Sequence, residues 1–256
     1  MTLAELLTLL RESILNDRSD RVEGAPDFLW SDTSLITYIN EAQRRFAVRS
    51  LILRDATTPE VTRIALVPGQ SEYVLHESIL AVMSVRSAIN ATDLTRLGHP
   101  VLAAYRAPTS TWMDPSGYAA LQPGTSLAYL TDEGLSDADT DSLSQIVLRV
   151  YPTPSAAQDG DILRMRVVRK PIEQLSAANM NAKPELPEDH HIEMLDWAAY
   201  LALRIVDNDA GSPKRAAEFA AAFENHVTEA RKTAMRKLFA PTGWGFGRGG
   251  WAWRND

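Results

Sequence analysis

Three aspartates that alternate along a short acidic stretch, Asp137, Asp139 and Asp141, are the residues whose spacing best suits a metal ion. Carboxylates at positions one, three and five begin the calcium loop of an EF-hand, which also requires glycine at position six and glutamate at position twelve. Those positions hold Ser142 and Leu148, so the calcium pattern fails. The stretch is interpreted as a solvated acidic connection.

A second candidate for metal binding is the pair His190 and His191, close to Glu193. Adjacent side chains on a helix point about 100° apart, so these histidines cannot easily share one ion. His190 and Glu193 have i,i+3 spacing, but two ligands do not complete a site. We interpret the segment as the first turn of a helix, where acidic residues favour the positive end of the dipole.

Motifs of hydrolases and nucleotide-binding proteins are missing from the sequence. It has no GxSxG, no P-loop, no HExxH, and no GxGxxG placed between a strand and a helix. The chain also has no cysteine, which excludes disulfides and cysteine-ligated metals. We therefore predict a protein that is not an enzyme and that uses no cofactor and no metal.

Four basic residues, Arg164, Arg166, Arg169 and Lys170, lie close together in the sequence, the first three of them in one predicted strand. On a strand, Arg164 and Arg166 share a face. Two interpretations remain open, a solvated sheet face and a nucleic-acid patch, and the first is favoured. A protein that grips DNA normally has a basic surface, whereas the formal net charge here is -7.

The last 18 residues, 239–256, differ from the rest of the chain because they combine glycine with large aromatics. Glycine at this density opposes a helix, whereas aromatic side chains are costly to expose to water. We expect an extended arm that docks on a different protein, on its own domain or on a neighbouring copy, the first being favoured. Its predicted contact residues are Phe239, Trp244, Phe246, Arg248, Trp251, Trp253 and Arg254.

Burial of aromatic side chains cannot by itself order this arm. Burying four of them contributes about 6–12 kcal/mol, whereas fixing 18 backbones costs about 18–36 kcal/mol. Either part of the arm becomes fixed, or backbone hydrogen bonds to a partner supply the remainder, as when a strand joins a sheet edge.

Helical periodicity appears at both ends of the chain. Leucines recur at three- and four-residue spacings in residues 2–15, where Thr2 and Glu5 have the spacing of a capping box. A second helix is predicted to have Ser31 or Asp32 as its N-cap and to end near residue 50. Two more are predicted near the C-terminus, as an apolar stripe over residues 192–205 and as a helix starting at Ser212-Pro213, separated by a break at 208–211.

Between these helices the pattern changes to short strands separated by turns. The Pro68-Gly69-Gln70 sequence predicts a hairpin between its flanking strands, and residues 93–105 are predicted to form a short helix or turn. The acidic stretch 132–141 joins two strands. The predicted strands are residues 61–67, 71–75, 79–87, 127–131, 145–151 and 161–169.

The chain is therefore predicted to have an α+β fold, organised as a helical bundle with an insertion. Residues 1–55 and 184–238 supply the N- and C-terminal helices of the bundle, residues 56–183 form an inserted antiparallel β-rich region, and residues 239–256 form the extended C-terminal arm. No apolar run approaches the roughly 20 residues that span a bilayer, and no secretory signal is recognised at the N-terminus.

The order of these segments resembles the bacteriophage head-to-tail adaptor (head–tail connector) family. The similarity lies in the order and spacing of structural patterns across most of the chain and not in any catalytic motif. The stretches that carry it are WSD at 30–32 with LITYINEAQ at 35–43, LRVYPTP at 148–154, LRMRVVRKP at 163–171, and LPEDHH at 186–191 leading into DWAAYLA at 196–202.

The resemblance implies a structural virion protein at the head–tail interface, assembled in the host bacterial cytoplasm. Such adaptors form a ring of twelve copies beneath the portal and enclose the channel through which DNA passes without specific binding. It further implies that the C-terminal arm binds the portal and that the β-rich insertion contacts a tail nozzle or tail proteins, with no membrane involved. A nozzle or tail-completion protein is the alternative, followed by a virion-associated hydrolase.

Overall fold

The computed structural model describes residues 1–17, 28–97, 124–133, 146–204 and 212–239. The predicted break at 208–211 lies outside these residues. So do most of the acidic stretch and the arm beyond Phe239.

The N-terminal helix has two parts, helix α1 (Leu3–Thr8) and a π-helical continuation, Leu9–Leu15. The capping box is confirmed, since the Glu5 amide donates to Thr2 Oγ1 and the Thr2 amide donates to Glu5 Oε2 at 2.9 Å. The π geometry, which sequence periodicity does not predict, is rare over such a length. It coincides with Arg11, whose side chain is buried against the carboxylates of Asp17 and Asp32.

The other long helices are α2 (Asp32–Ser50), α4 (Leu195–Leu203) and α5 (Pro213–Phe239). α2 matches the prediction, with Ser31 accepting the Ser34 amide as its N-cap. The prediction was wrong for Ile192, which is 57% exposed. Residues before α4 form a 3₁₀ turn (Glu188–His190) and further turns, which place Ile192 away from the core.

One hydrophobic core is shared by helices from both ends of the chain. It contains leucines of α1, Phe46 of α2, Trp197 of α4 and Phe223 of α5, all buried. Leu175 and Leu186, from the segment between the sheets and α4, complete it. The helical part of the fold therefore depends on contacts between residues separated by nearly the whole chain.

Two four-stranded sheets form the middle of the described chain. Their strands are β1 (Arg54–Asp55), β2 (Arg63–Ala65), β3 (Glu72–Val74), β4 (Ile79–Ser87), β5 (Thr95–Arg96), β6 (Ala128–Glu133), β7 (Ile146–Tyr151) and β8 (Ile162–Arg169). A short helix α3 (Pro59–Thr62) precedes β2. In the first sheet, β8 pairs antiparallel with β1, β2 and β4. In the second, the strand order is β3-β7-β6-β5, and β5 and β6 are parallel.

The hairpin predicted around Gly69 is wrong, although the turn itself exists and Gly69 has a φ of +80°. β2 pairs with β8, whereas β3 pairs with β7 in the other sheet. The turn therefore joins two sheets instead of two neighbouring strands. Within the region predicted to hold a short helix or turn, Thr95–Arg96 instead pairs with β6 as a strand.

A second hydrophobic core lies between the two sheets. Tyr129 and Leu148 of one sheet and Leu163, Met165 and Val167 of the other are almost fully buried. Alternation along β8 therefore turns its odd-numbered residues inward from Leu163 to Val167 and leaves Arg164 and Arg166 on the outer face. Among the described residues, no helix is both long enough and apolar enough to span a membrane.

Candidate assembly surfaces

Helix α5 carries the root of the predicted C-terminal arm. Phe239 is its last residue, so the first predicted arm residue continues the helix. The remaining predicted contact residues, Trp244, Phe246, Arg248, Trp251, Trp253 and Arg254, lie outside the described part of the chain.

The inner face of α5 is firmly packed against the bundle. Phe223 is fully buried, and its ring centroid lies 5.8 Å from that of Phe46 and 5.1 Å from that of Trp197. Val227 and Ala234 continue the buried face toward the C-terminal end. The 27-residue helix spans about 40 Å, so it holds the root of the arm at a fixed place relative to the core.

Polar contacts also attach α5 to the rest of the fold. Arg49 of α2 forms an ion pair with Glu224. Near the end of the helix, Arg54 Nη2 donates to the Ala234 carbonyl at 2.5 Å. Because Arg54 lies opposite Val168 in the β1–β8 pairing, this contact connects α5 to the first sheet.

A buried ion network joins the helical part to that sheet. Arg169, at the end of β8, donates from Nε to Asp55 Oδ2 at 2.7 Å and also pairs with Glu185. Glu185 Oε1 accepts the amides of Ile172 and Glu173 at 2.6 and 2.7 Å. From the sequence, Arg169 was grouped with Arg164 and Arg166 as a basic cluster. In the structure Arg169 instead has a structural role, because its guanidinium is paired with two carboxylates.

Asp55 organises the turn that follows β1. Its Oδ1 accepts the amides of Thr57 and Thr58 at 2.8 and 3.1 Å. Burial acts to raise the pKa of Asp55, but hydrogen bonds from Thr58, Thr57 and Arg169 outweigh it and hold the pKa well below its usual range. The carboxylate is therefore charged at neutral pH, and its removal would leave several buried donors without an acceptor.

Arginines from three strands meet on the outer face of the first sheet. Arg164 of β8 lies opposite Arg63 of β2 on one side and Arg86 of β4 on the other, and Arg166 lies two residues further along β8. All four are exposed. Within the described residues none of them forms an ion pair, although Arg86 donates to the Ala91 carbonyl.

Sequence reasoning found Arg164 and Arg166 but missed Arg63 and Arg86. Each of the missed residues lies in a predicted strand, but strand pairing between residues so far apart cannot be read from spacing alone. We call the set Arg63, Arg86, Arg164 and Arg166 the arginine face.

The predicted histidine pair divides between two environments. His190 Nδ1 lies 2.6 Å from Glu193 Oε2, as its spacing predicts. His191 is buried, and its Nε2 contacts the Leu186 carbonyl at 2.8 Å. Burial lowers the pKa of His191. The two histidines therefore serve different contacts.

His226 of α5 adds a third residue near Glu193, which sequence spacing does not reveal. Its ring nitrogens lie 3.5 Å from Glu193 Oε1 and 3.5 Å from Asp196 Oδ2. Burial raises the pKa of Asp196, while the nearby His226 lowers it. In the described part of the chain, no group of three or more such side chains has the geometry to hold a metal ion. These residues link α5 to the start of α4.

A polar groove of about 550 Å³ lies between α2 and the segment after β8. Arg44, on its wall, forms a bidentate pair with Glu41 at 2.8 and 2.9 Å, which raises the Arg44 pKa. Gln43 lines it with a buried Oε1 that has no hydrogen-bond partner among the described residues. The groove is also lined by His76 and the buried Ser78, whose Nδ1 and Oγ atoms lie 2.8 Å apart.

Comparison with known proteins gives a family for this arrangement. A family model described as SU10 adaptor protein matches residues 1–244, which include both hydrophobic cores and the whole of α5. No curated protein matches the chain significantly. Because the matched region covers almost all of the 256 residues, the chain belongs to the SU10 adaptor protein family, a family of bacteriophage head-to-tail adaptors.

Proposed function

We propose that the protein is one subunit of a twelve-membered ring beneath the portal, that its C-terminal arm binds the portal, and that the ring encloses the channel for DNA. Family membership already makes it a structural head-to-tail adaptor of the virion, positioned between portal and tail proteins. The proposal adds the ring, its copy number, the role of the arm and assembly in the host bacterial cytoplasm.

The observation that carries the proposal is the packing of α5. An arm can reach a partner reproducibly only if its root is held in place, and α5 is held by Phe223 in the core and by the hydrogen bond from Arg54 to the Ala234 carbonyl. Residues 240–256 add aromatic side chains and glycines directly after this root. An arm of this kind gains affinity when many copies bind one assembly, through effective concentration.

The overall charge supports passage of DNA through the ring. A net charge of -7 disfavours tight binding of phosphates. DNA that bound firmly to its channel could not slide during ejection. The charge balance therefore agrees with a channel that confines DNA without holding it.

The β-rich region supplies the surface for tail proteins. β3 is an edge strand of the second sheet, and its Val74 is 66% exposed. Edge strands present unpaired backbone groups that another chain can use. We assign contact with a nozzle or another tail protein to this part of the molecule.

The test is removal of the arm at the end of the helix. A chain ending at Phe239 should keep the circular dichroism and thermal unfolding of the full protein, because both cores lie before that residue. It should lose binding to purified portal in a pull-down and form no ring on portal in electron micrographs. Normal assembly of the truncated chain would refute the assignment of the arm.

Point variants separate aromatic contacts from general damage. Trp251→Ala with Trp253→Ala should weaken portal binding at least tenfold, because tryptophan is enriched among the interface residues whose truncation costs about 2 kcal/mol or more. Ile192→Ala, at an exposed apolar residue of the described structure, is the matched control and should bind normally. Loss of binding to the nozzle in place of the portal would favour a tail-completion role.

A further inference from the structure

We propose that the polar groove beside α2 binds an extended segment of a partner protein, in which a basic side chain lies next to an aliphatic one. Such a contact is separate from the arm and from the β3 edge. It depends on the place of the chain among portal and tail proteins, which family membership gives, and not on the proposed ring.

The groove has room for an extended ligand. A second groove of about 540 Å³ adjoins the one of about 550 Å³, because His76, Ile172 and Glu173 line both of them. Residues of α2 line the first groove, and residues of α3 line the second. Each volume lies within the range of about 300–1,000 Å³ that is usual for ligand sites. The two together can therefore hold several residues of an extended chain.

A buried acceptor without a donor points to a ligand in the first groove. Gln43 is 1% exposed and lines the groove, and its Oε1 has no hydrogen-bond partner. An unpaired buried acceptor destabilises a fold. Asn40, about one helical turn earlier on α2, exchanges two hydrogen bonds of 2.9 and 2.8 Å with the backbone of Leu175. The amide of Gln43 would bind the backbone of an incoming segment in a similar way.

His76 supplies a donor to complement this acceptor. The Ser78 amide donates to His76 Nδ1 at 3.1 Å. Because Nδ1 accepts, the neutral ring carries its proton on Nε2. A peptide unit has one N–H donor and one carbonyl acceptor. The groove therefore offers both groups that a peptide backbone needs, Gln43 Oε1 for the N–H and His76 Nε2 for the carbonyl.

The charges that line the two grooves select a basic side chain. Arg44 is paired with Glu41, and Arg169 is paired with Glu185. Outside these two pairs, the lining holds three exposed carboxylates and one ammonium group, which belong to Glu60, Glu77, Glu173 and Lys170. Carboxylates form charge-assisted hydrogen bonds with arginine and lysine, so a cationic residue fits this lining better than an anionic one.

An apolar contact accompanies the charges where the grooves meet. Ile172 lines both grooves and is 41% exposed, and the buried Val61 lines the second groove. Covering Ile172 would remove apolar surface from water, which is favourable. The segment should therefore carry an aliphatic residue beside its basic one.

The same charges disfavour other occupants. Three carboxylates repel the phosphates of a nucleic acid. A second copy of this chain, with its net charge of -7, is also repelled on average. A basic segment of a different protein is therefore the occupant that the lining favours.

The first experiment is an array of overlapping ten-residue peptides that covers the portal protein, the tail proteins and this chain. It is probed with labelled full-length protein. Bound peptides should come from a portal or tail protein and should contain arginine or lysine within two residues of leucine, isoleucine or valine. Replacing that basic residue by alanine should abolish binding of the peptide.

Charge reversal locates the bound peptide in the groove. In fluorescence anisotropy titrations with the best peptide, Glu77→Lys with Glu173→Lys should raise the Kd at least tenfold, because like charges would then face each other. The control, Glu12→Lys with Glu218→Lys, makes the same charge change at exposed residues outside the groove and should bind as wild type does. Trp251→Ala with Trp253→Ala, which alters the arm, should also bind normally.

Gln43→Met separates binding from structure, because the two roles predict opposite signs. Removing an unpaired buried acceptor should raise the melting temperature of the free protein by about 2–4 °C. The same change should weaken peptide binding, because the ligand loses a hydrogen-bond acceptor. A lower melting temperature would show that Gln43 stabilises the fold and would remove it from the site.

Failure of this inference can be told apart from failure of the proposed function. An array with no bound peptide, with neutral or acidic bound peptides, or with bound peptides from this chain alone would overturn the inference. Peptide binding unchanged by Glu77→Lys with Glu173→Lys would do so too. None of these results affects the ring or the arm. Wild-type protein that forms no ring on portal, yet binds a basic peptide in the groove, would instead refute the proposed function.

Discussion

Replacing Asp55 by alanine should be among the most destabilising single changes at the junction between helices and sheets. The side chain is 4% exposed, and its oxygens accept from Arg169, Thr57 and Thr58. Alanine would leave Arg169 with one of its two carboxylate partners and the two threonine amides without an acceptor. Removing one partner of a buried pair typically costs about 3–5 kcal/mol of unfolding free energy.

An asparagine variant at the same position distinguishes the contribution of the Asp55 charge from that of the hydrogen bonds in the turn. Asp55→Asn retains an oxygen for the Thr57 and Thr58 amides but removes the negative charge facing Arg169. Since a hydrogen bond to a charged group is worth about 1.5–3 kcal/mol, the asparagine variant should lose about that amount. Glu224→Ala, which breaks a half-exposed ion pair with Arg49, is the control and should cost less than about 1 kcal/mol.

Urea unfolding followed by circular dichroism, repeated as a function of pH, measures these differences. The pKa of Asp55 is lower in the folded state than its unfolded value of about 3.9. Its charge therefore contributes fully above pH about 4, and this contribution is lost as the pH falls toward the folded pKa. The difference in unfolding free energy between wild type and Asp55→Asn should therefore decrease below pH 4. An alanine variant within about 1 kcal/mol of wild type, or a gap that does not change with pH, would refute the reasoning.

Two further predictions concern the helical core. Phe223→Ala should lower the unfolding free energy by about 3–5 kcal/mol in urea titrations, because the fully buried ring contacts Phe46 and Trp197; a loss under 1 kcal/mol would mean that the core collapses around the gap. His191→Gln should flatten the fall in melting temperature between pH 7 and pH 5. Burial lowers the pKa of His191 in the folded protein. The neutral histidine therefore contributes its full stability above the unfolded pKa of about 6.5, and this contribution is lost as the pH falls toward the folded pKa. A melting temperature that falls with pH equally in wild type and variant would contradict this.

Local patterns in the sequence predicted the elements well where the signal itself is local. α2 begins after Ser31 because a serine side chain can cap the amide three residues later, and this is visible in the sequence. The boundaries of β4 and the α+β class also followed from periodicity. The π geometry of Leu9–Leu15 did not follow from periodicity; it coincides with Arg11, whose carboxylate partners lie in the residues after the helix and at the start of α2.

The sequence did not predict which distant strands pair with each other. Gly69 indicates a turn, but a turn does not specify whether the strands on either side pair with each other. Both flanking strands found other partners, β8 and β7, more than 70 residues away. For the same reason only two residues of the arginine face, Arg164 and Arg166, were grouped from the sequence. Arg63 and Arg86 lie opposite Arg164 only through this non-local strand pairing.

The helical core, built from both ends of the chain, has a consequence for synthesis on the ribosome. The apolar residues of the N-terminal helix emerge first, but α4, which belongs to the same hydrophobic core, begins at Leu195. At about 5–20 residues per second, roughly 10–40 s separate the two. Leu3, Leu6 and Leu10 lack the part of their core that α4 and α5 supply during that interval, while the strands of both sheets have already been synthesised. Translation rate and chaperone access should therefore affect the yield of correctly folded subunits.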